Sequence, residues 1–324
     1  MDLDLGDARE LVSTTLARIG VPLLHAEIVA NHLVYAASVG HTFAGLPRVL
    51  ALADVIKKRG PGGEIRTIQE TRMSAVIEGA DVNGYVTSLM GMDKAIELAE
   101  KEGVGIVGVR NSWYSGLLAY YVERAAHRGL VGFHAANSTA RVAPHGGADA
   151  IFGTNPMAWG FPADGEPLVV DFSSAKIAWG DVLYHHKRGK TLEEGVAVDP
   201  DGNPTVDPLQ ALAGAILPWG GARGLGVATI VQALGILAGS PPVMRETGGW
   251  GYFFLAFNPD LLMPRYEFKR RVAELRLTVE SSRPMVGGEE VRMPGSGSRR
   301  RLKETLARGY ITIDDEIVEA IRNV

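Results

Sequence analysis

The sequence predicts an α+β fold that is not of the Rossmann type, on three observations. Residues 8 to 58 are patterned for helices alone, strand and helix patterns mix from residue 64 onward, and the single glycine-rich motif has its flanking elements in the wrong order. At 324 residues the chain exceeds the size at which one hydrophobic core stops growing, so two lobes are expected.

The elements follow in order. Residues 8–19 and 24–37 place Leu11, Leu16 and Ile19, then Ile28, Val29 and Leu33, at helical spacing. Residues 46–58 continue that pattern with Leu46, Val49, Leu50, Ala53 and Ile56. Gly60, Pro61, Gly62 and Gly63 end it, and "EIRTIQETRMSAVIEG" has strand character. "MGMDKAIELAEKEG" reads as a helix closed by Gly103, "GIVGVR" as a strand, and "LLAYYVERAAHRG" as a helix closed by Gly129. "LVGFHAAN", "PLVVDFSS" and "TGGWGYFFLAFNPD" read as strands, and residues 225–239 as a buried helix too short to span a bilayer. A helix opens from "NPDLLMPRYEFKRR", and after "MPGSGSRRR" come a helix and a small terminal element.

Composition excludes several classes of function. With no cysteine there is no disulfide framework, no thiolate metal site and no thiol nucleophile. A net charge of -4 without a basic face argues against nucleic acid as a partner. The acidic start "MDLDLGDARE" lacks a signal-peptide pattern and no stretch suits a membrane span, so a cytoplasmic protein is expected.

"GVGIVG", residues 103–108, satisfies G-x-G-x-x-G. The dinucleotide fingerprint needs a strand before the glycines and a helix N-terminus after them, and here a helix precedes and a strand runs through. Gly103 is a helix cap, and Gly105 and Gly108 belong to a closely packed strand. Metal ligation is not expected: His185 and His186 are adjacent within "HHKRGK", read as a solvated loop, and His25 and His32 lack a third ligand.

His41 is the more promising residue. Gly40 can end the preceding helix, and Thr42, Ala44 and Gly45 are small enough to leave the imidazole accessible. Asp171 stands alone at the end of an apolar strand, where a buried carboxylate needs a partner. An aspartate beside a histidine fixes the ring tautomer and favours the imidazolium, so His41 is a candidate proton donor oriented by Asp171. "RNSWYSG", "AANSTARVAPHGG" and "FGTNPMAWG" combine Asn, Ser, Thr and Gly after apolar strands, a composition suited to the floor of a ligand site.

These segments, with "LVVDFSSAKIAWGD", "LEEGVAVDPDGNPTVDP", "LPWGGARGLGVATIVQAL" and "VRMPG", resemble the malate/L-lactate dehydrogenase family of non-Rossmann oxidoreductases, which includes ureidoglycolate and sulfolactate dehydrogenases, diketogulonate reductase and piperideine-2-carboxylate reductase. The resemblance covers nearly the whole chain. It implies a homodimer in which a mostly antiparallel central sheet holds NADH or NADPH. Both chain ends, residues 1–65 with 275–324, would form a helical domain for substrate and dimer contacts, and 66–274 the NAD(P)-binding domain.

Carried over residue by residue, the resemblance makes His41, Asp171 and Tyr114 catalytic candidates. It makes Asn137, Ser138, Asp171, Phe172, Ser173, Arg223, Gly224, Pro294, Gly295 and Ser296 cofactor-binding candidates, and Arg48 and Thr154 substrate-binding candidates. Three family residues are missing: a serine is Gly40, an arginine that clamps the substrate carboxylate is Gly45, and a second active-site histidine is Tyr114. The expected function is an NAD(P)H-dependent reductase delivering hydride to a C=N or C=O bond of a small substrate, such as a cyclic imine or a 2-keto acid. Two other readings are a relative that binds the dinucleotide without turnover and a non-redox lyase or isomerase using the same cleft.

Overall fold

Strand formation in the middle of the chain follows side-chain type. Val104–Ser112 and Trp250–Phe257 are β-branched and aromatic runs, and they pair antiparallel at the centre of a seven-stranded sheet. The computed structural model describes residues 1–324. Its central strands are β1 (Arg66–Glu70), β2 (Ser74–Glu78), β3 (Val104–Ser112), β4 (Val131–Ala136), β5 (Met157–Phe161), β6 (Leu168–Phe172) and β7 (Trp250–Phe257). They lie in the order β1-β2-β3-β7-β4-β5-β6, and only the β2–β3 pair is parallel, so the sheet is mostly antiparallel as expected.

Side-chain alternation along β7 sorts the helices onto two faces. Tyr252, Phe254 and Ala256 point into the main core with helices α4 (Gly84–Glu102) and α5 (Ala119–His127). Phe253 and Leu255 point the other way, against Val231 and Leu234 of α7 (Ala222–Leu237).

The two chain ends meet. Asp2–Asp4 pairs antiparallel with Tyr310–Thr312, and α1 (Leu5–Arg18) packs on α2 (Leu23–Ser38) and on the C-terminal helix Asp315–Arg322. Helix α3 (Arg48–Arg59) completes this region, and α8 (Ser296–Arg308) packs on α2. One cluster of 45 buried apolar residues runs from Leu3 through the sheet face to Ile321, so the helical region and the sheet share a core. At 25 cal/mol per Å², such shared burial is the main term holding the two regions in register. A smaller cluster of 8 residues, including Val142, Val182 and Leu192, lies beneath α6 (Trp179–Lys187).

Four expectations change in detail. "HHKRGK" is not a loop: His185 and His186 occupy the last turn of α6, where His185 Nδ1 lies 2.7 Å from the Thr191 carbonyl. The segment "EIRTIQETRMSAVIEG" is a hairpin of two strands, because a turn held by the Thr71 hydroxyl interrupts it. Helix α7 is buried on one face only, since Ile230, Ile236 and Leu237 point outward. The small terminal element is a strand followed by a helix. The glycines of "GVGIVG" behave as read: Gly103 caps α4 in the left-handed region at φ 88°, and a Cβ on Gly105 would collide with the Ala95 carbonyl.

Two histidines are buried without charge partners. The His134 ring stacks 4.1 Å from Phe254, with Nδ1 3.2 Å from the Phe253 carbonyl. His32 lies among Tyr85, Tyr120 and Tyr121. Burial pulls both imidazoles down to about 3 from the ordinary 6.5. The unfolded chain therefore binds protons between pH 6.5 and 3 that the folded chain does not, and stability falls as pH drops through that window. Asp171, raised to about 6, works in the opposite direction between pH 6 and 3.8 and offsets only part of this. Urea titrations should show the unfolding free energy declining from pH 7 to pH 5, at about 1.4 kcal/mol per pH unit for each histidine once below 6.5. A flat profile would mean that these rings are protonated in the folded state.

Candidate active site

A cavity of about 1750 Å³ opens where the helical region meets one edge of the sheet. Its wall includes the α2–α3 junction (Gly40 to Ala44, Pro47, Arg48), the turn into α5 (Gly116 to Ala119), the end of β6, the first turn of α6 and the approach to α8.

His41 is placed by a helix ending. Helix α2 stops at Gly40, whose φ of 91° suits glycine, and the His41 amide closes the turn by donating to the Ala36 carbonyl at 2.9 Å. A short 3₁₀ turn over Thr42–Ala44 follows and leaves the imidazole accessible. A Cβ on Gly40 would strike the side chain of Arg301, whose Nε donates to the Val39 carbonyl at 2.8 Å. The space beside the histidine is thus taken by a guanidinium from α8. Burial and the Arg301 charge hold the His41 pKa below its ordinary value, with Asp181 opposing them. The ring is therefore mainly neutral at pH 7, whereas the sequence reading favoured an imidazolium.

Asp171 is placed at the end of β6 and opens onto the same cavity. Its Oδ2 accepts from the Ala119 amide at 2.8 Å, at the N-terminus of α5, and the Leu118 amide supports the same carboxylate. The surrounding protein pushes its pKa up to about 6, against those amides. The positive end of α5 favours the anion. No hydrogen bond joins Asp171 to His41; the carboxylate that acts on the imidazole is Asp181. The two residues share a cavity, but backbone amides orient the aspartate.

The turn supplying those amides is braced from α2. The Leu117 amide donates to His32 Nε2 at 3.0 Å, and the Tyr121 hydroxyl donates to the Ser115 carbonyl at 2.7 Å. Gly116 passes between them at φ 73°, where a Cβ would run into His32 and Tyr85.

The remaining sequence candidates separate into two groups. Arg48, Ser173, Pro294 and Gly295 line the cavity with His41 and Asp171. Tyr114, Asn137, Ser138, Thr154, Phe172, Arg223, Gly224 and Ser296 do not. Asn137 is spent internally, since Nδ2 donates to Ser240 Oγ at 2.6 Å and Oδ1 accepts from the Gly251 amide at 2.8 Å. The Thr154 carbonyl receives both the amide and the hydroxyl of Ser174. Phe172 packs edge-on to Trp219, and a Cβ on Gly224 would meet the Trp219 carbonyl. Arg223 is exposed at the start of α7. Tyr114, at φ 51°, packs against Trp113 and Trp250 and carries the Arg48 guanidinium 5.4 Å from its ring centre.

Sequence reasoning missed Asp181, Arg299 and Arg301. All three are charged residues brought in by helices; Asp181 ends the family-like segment "LVVDFSSAKIAWGD", while Arg299 and Arg301 follow "VRMPG" outside it. Arg299 lines the cavity, its Nε is buried without a hydrogen bond, and its ion pairs with Glu123 and Glu166 are long, at 3.9 and 3.7 Å. Ser296 Oγ, in the first turn of the 13-residue helix α8, is likewise buried and unpartnered. These free donors at a helix N-terminus suit an anionic group such as a pyrophosphate.

Residues 3–322 match the family model described as malate/L-lactate dehydrogenase. The chain belongs to that family. It is 34% identical over 302 residues to an L-sulfolactate dehydrogenase of Methanocaldococcus jannaschii, covering 90% of this chain and 88% of the relative. The solved sulfolactate dehydrogenase structure from that organism superposes with a TM-score of 0.88 at 32% identity, covering 100% of this chain and 97% of the other. The chain is also 30% identical over 319 residues to an NAD(+) ureidoglycolate dehydrogenase of Escherichia coli O157:H7, covering 94% of this chain and 91% of that one. A Δ1-piperideine-2-carboxylate reductase structure from Pseudomonas syringae pv. tomato matches with a TM-score of 0.87 at 26% identity, covering 100% and 99%. This family member is an oxidoreductase that uses NAD or NADP.

Gly116→Ala tests the brace. The substitution forces a side chain into the His32–Tyr85 contact at a backbone angle that L-residues rarely adopt, and it should cost about 3 kcal/mol or more in urea unfolding. Full stability would show that the turn is not fixed as described.

Proposed function

We propose that the chain is an NAD(P)H-dependent reductase acting on a C=O or C=N bond of a small substrate, with His41 exchanging the proton that accompanies hydride transfer. The observation that carries this is the convergence of His41, Asp171, Ser173, Pro294, Gly295 and Arg299 on one cavity. A bound nicotinamide dinucleotide supplies or accepts the hydride, since no side chain can. Ser173, Pro294, Gly295 and Arg299 would hold it, with Arg299 and the first turn of α8 facing its anionic part. Among the relatives, sulfolactate and ureidoglycolate dehydrogenases carry names for small 2-hydroxy acids, and the piperideine-2-carboxylate reductase for a cyclic imine.

The chain's own residues divide the work. His41 is mainly neutral near pH 7, so in the oxidative direction it takes the hydroxyl proton directly. In reduction it must first be protonated, and a lowered pKa makes the imidazolium a stronger acid once formed. Asp171 holds negative charge at the mouth of α5 above pH 6, where it favours a cationic group in the cavity. An iminium is such a group, and Asp171 is the observation that keeps the C=N reading beside the C=O one.

The pH profile follows from the sign of the His41 shift. kcat/KM for NADPH-dependent reduction of a 2-keto acid or cyclic imine should rise as pH falls below 6.5, while oxidation of the corresponding product should be level above it. His41→Ala should lower kcat in both directions by about 10²- to 10⁴-fold with little change in dinucleotide Kd. Unchanged turnover would remove His41 from the reaction.

The homodimer belongs to the same proposal. The outward face of α7 presents Ile230, Ile236 and Leu237 at 54%, 44% and 74% exposure, and Arg223 is the helix's single charged residue. An uncharged face of this kind suits burial against a second copy. Light scattering should give twice 34.6 kDa for the natural protein, and Leu237→Asp should shift it toward monomer. A natural protein that is monomeric at micromolar concentration would refute the dimer.

A further inference from the structure

Position 45 cannot carry the family's substrate-clamping arginine in this backbone. A Cβ on Gly45 would press on the Cα, Cβ and amide nitrogen of Ala37, because the 3₁₀ turn lies directly on α2. A carboxylate-bearing substrate would need its cation from elsewhere. Arg48, at the first residue of α3, lines the cavity and forms no ion pair or side-chain hydrogen bond; its guanidinium lies 5.2 Å from the Phe43 ring centre and 5.4 Å from that of Tyr114.

A second unpaired guanidinium lies against the same helix, α6. Arg141, half-buried in the segment after β4, also has no ion pair and no side-chain hydrogen bond, and it stacks 4.2 Å over Trp179. Trp179 and Gly180 are consecutive residues at the start of α6, and a Cβ on Gly180 would stand 3.7 Å from Arg48 Nη2. Tyr114 faces Arg48 from the other side, with its ring centre 5.4 Å from the guanidinium. Two arginines from different elements thus flank the Trp179–Gly180 turn of α6, and neither is ion-paired to a protein carboxylate. Half-buried charges are ordinarily paired, because desolvation without a counter-charge is costly.

We propose that Arg48 and Arg141 form an oxoanion clamp that holds the substrate's carboxylate, taking over the role that the glycine at position 45 leaves open. The clamp rests on the oxidoreductase reading above and deepens it: the substrate is an anion whose carboxylate points toward the Tyr114 corner, with its reducible carbon toward His41. Arg48 supplies the cavity-lining cation. Arg141, held flat by Trp179, supplies the second, and planar guanidiniums match a carboxylate in two-point geometry.

Calorimetric titration of the full-length protein with oxalate, and with oxamide as its neutral isostere, tests this in the presence of NADH. NADH binding itself is followed separately by its fluorescence. The natural protein should bind oxalate more tightly than oxamide. Arg48→Gln and Arg141→Gln should each weaken oxalate by about 10- to 100-fold while leaving oxamide and NADH unchanged, and Arg141→Lys should recover part of the loss. Removing an unpaired half-buried charge should not lower the melting temperature of Arg141→Gln. Undiminished oxalate binding by Arg141→Gln, equal losses for oxalate and oxamide, or no oxalate binding by the natural protein would each overturn the clamp. Intact NADH binding in those cases would leave the oxidoreductase reading standing.

Discussion

The turn from Ser115 to Ala119 is the constraint on which the site depends. It ties the helical region, the sheet and the cavity together by directed bonds as well as by apolar burial. His32 from α2 accepts the Leu117 amide, Tyr121 from α5 fixes the Ser115 carbonyl, and the emerging amides of α5 grip Asp171 at the end of β6. Hydrophobic contact between the two regions is broad but non-directional, so it sets their separation without fixing a carboxylate in the cavity. Three hydrogen bonds within five residues do that. The neutrality of His32 is part of the arrangement, because a protonated ring would have no lone pair for the Leu117 amide.

Charge in the cavity is arranged around that anchor. Asp171 is a carboxylate under opposed pressures, with burial raising its pKa and backbone donors lowering it, and the balance leaves it near 6. His41 is pushed the other way by burial and by Arg301. Of the remaining wall, Arg48 has no ion pair and Arg299 has only long ones, while Glu123, Asp181, Asp314, Asp315 and Glu316 line the same cavity, so both signs of charge face it.

The architecture was largely legible in the sequence, and the site only in part. Helical periodicity, Gly103 and Gly129 as caps, and the reversed order around "GVGIVG" gave the elements, because each rests on interactions within a few residues. The errors have the same origin. "HHKRGK" was misread because its helix is fixed by packing of Val182 into a small distant cluster, which local composition does not show. Asn137 has the residue type of a ligand floor and its side chain is instead saturated by neighbours, since short polar side chains after a strand serve either purpose. His41 and Asp171, singled out by their unusual settings, open onto one cavity. Their partners, Arg301, Asp181 and the α5 amides, were not singled out, because these pairings span up to 260 residues.

Arg301 gives the absence of a serine at position 40 a physical reason. Its side chain runs through the volume that any side chain at 40 would occupy, and its Nε satisfies the Val39 carbonyl left open at the end of α2. A serine there would require Arg301 to move, leaving that carbonyl without its donor and relieving the positive charge on His41. Replacing a hydroxyl with a guanidinium beside the imidazole therefore does more than delete a hydrogen bond: it biases the ring toward its neutral form. The same turn then packs so tightly on Ala37 that position 45 must be glycine, and substrate-facing charge is left to Arg48 one helical turn further on. Glycines 40 and 45 are thus two consequences of one packing arrangement, in which α8 and α2 close around the junction that carries the histidine.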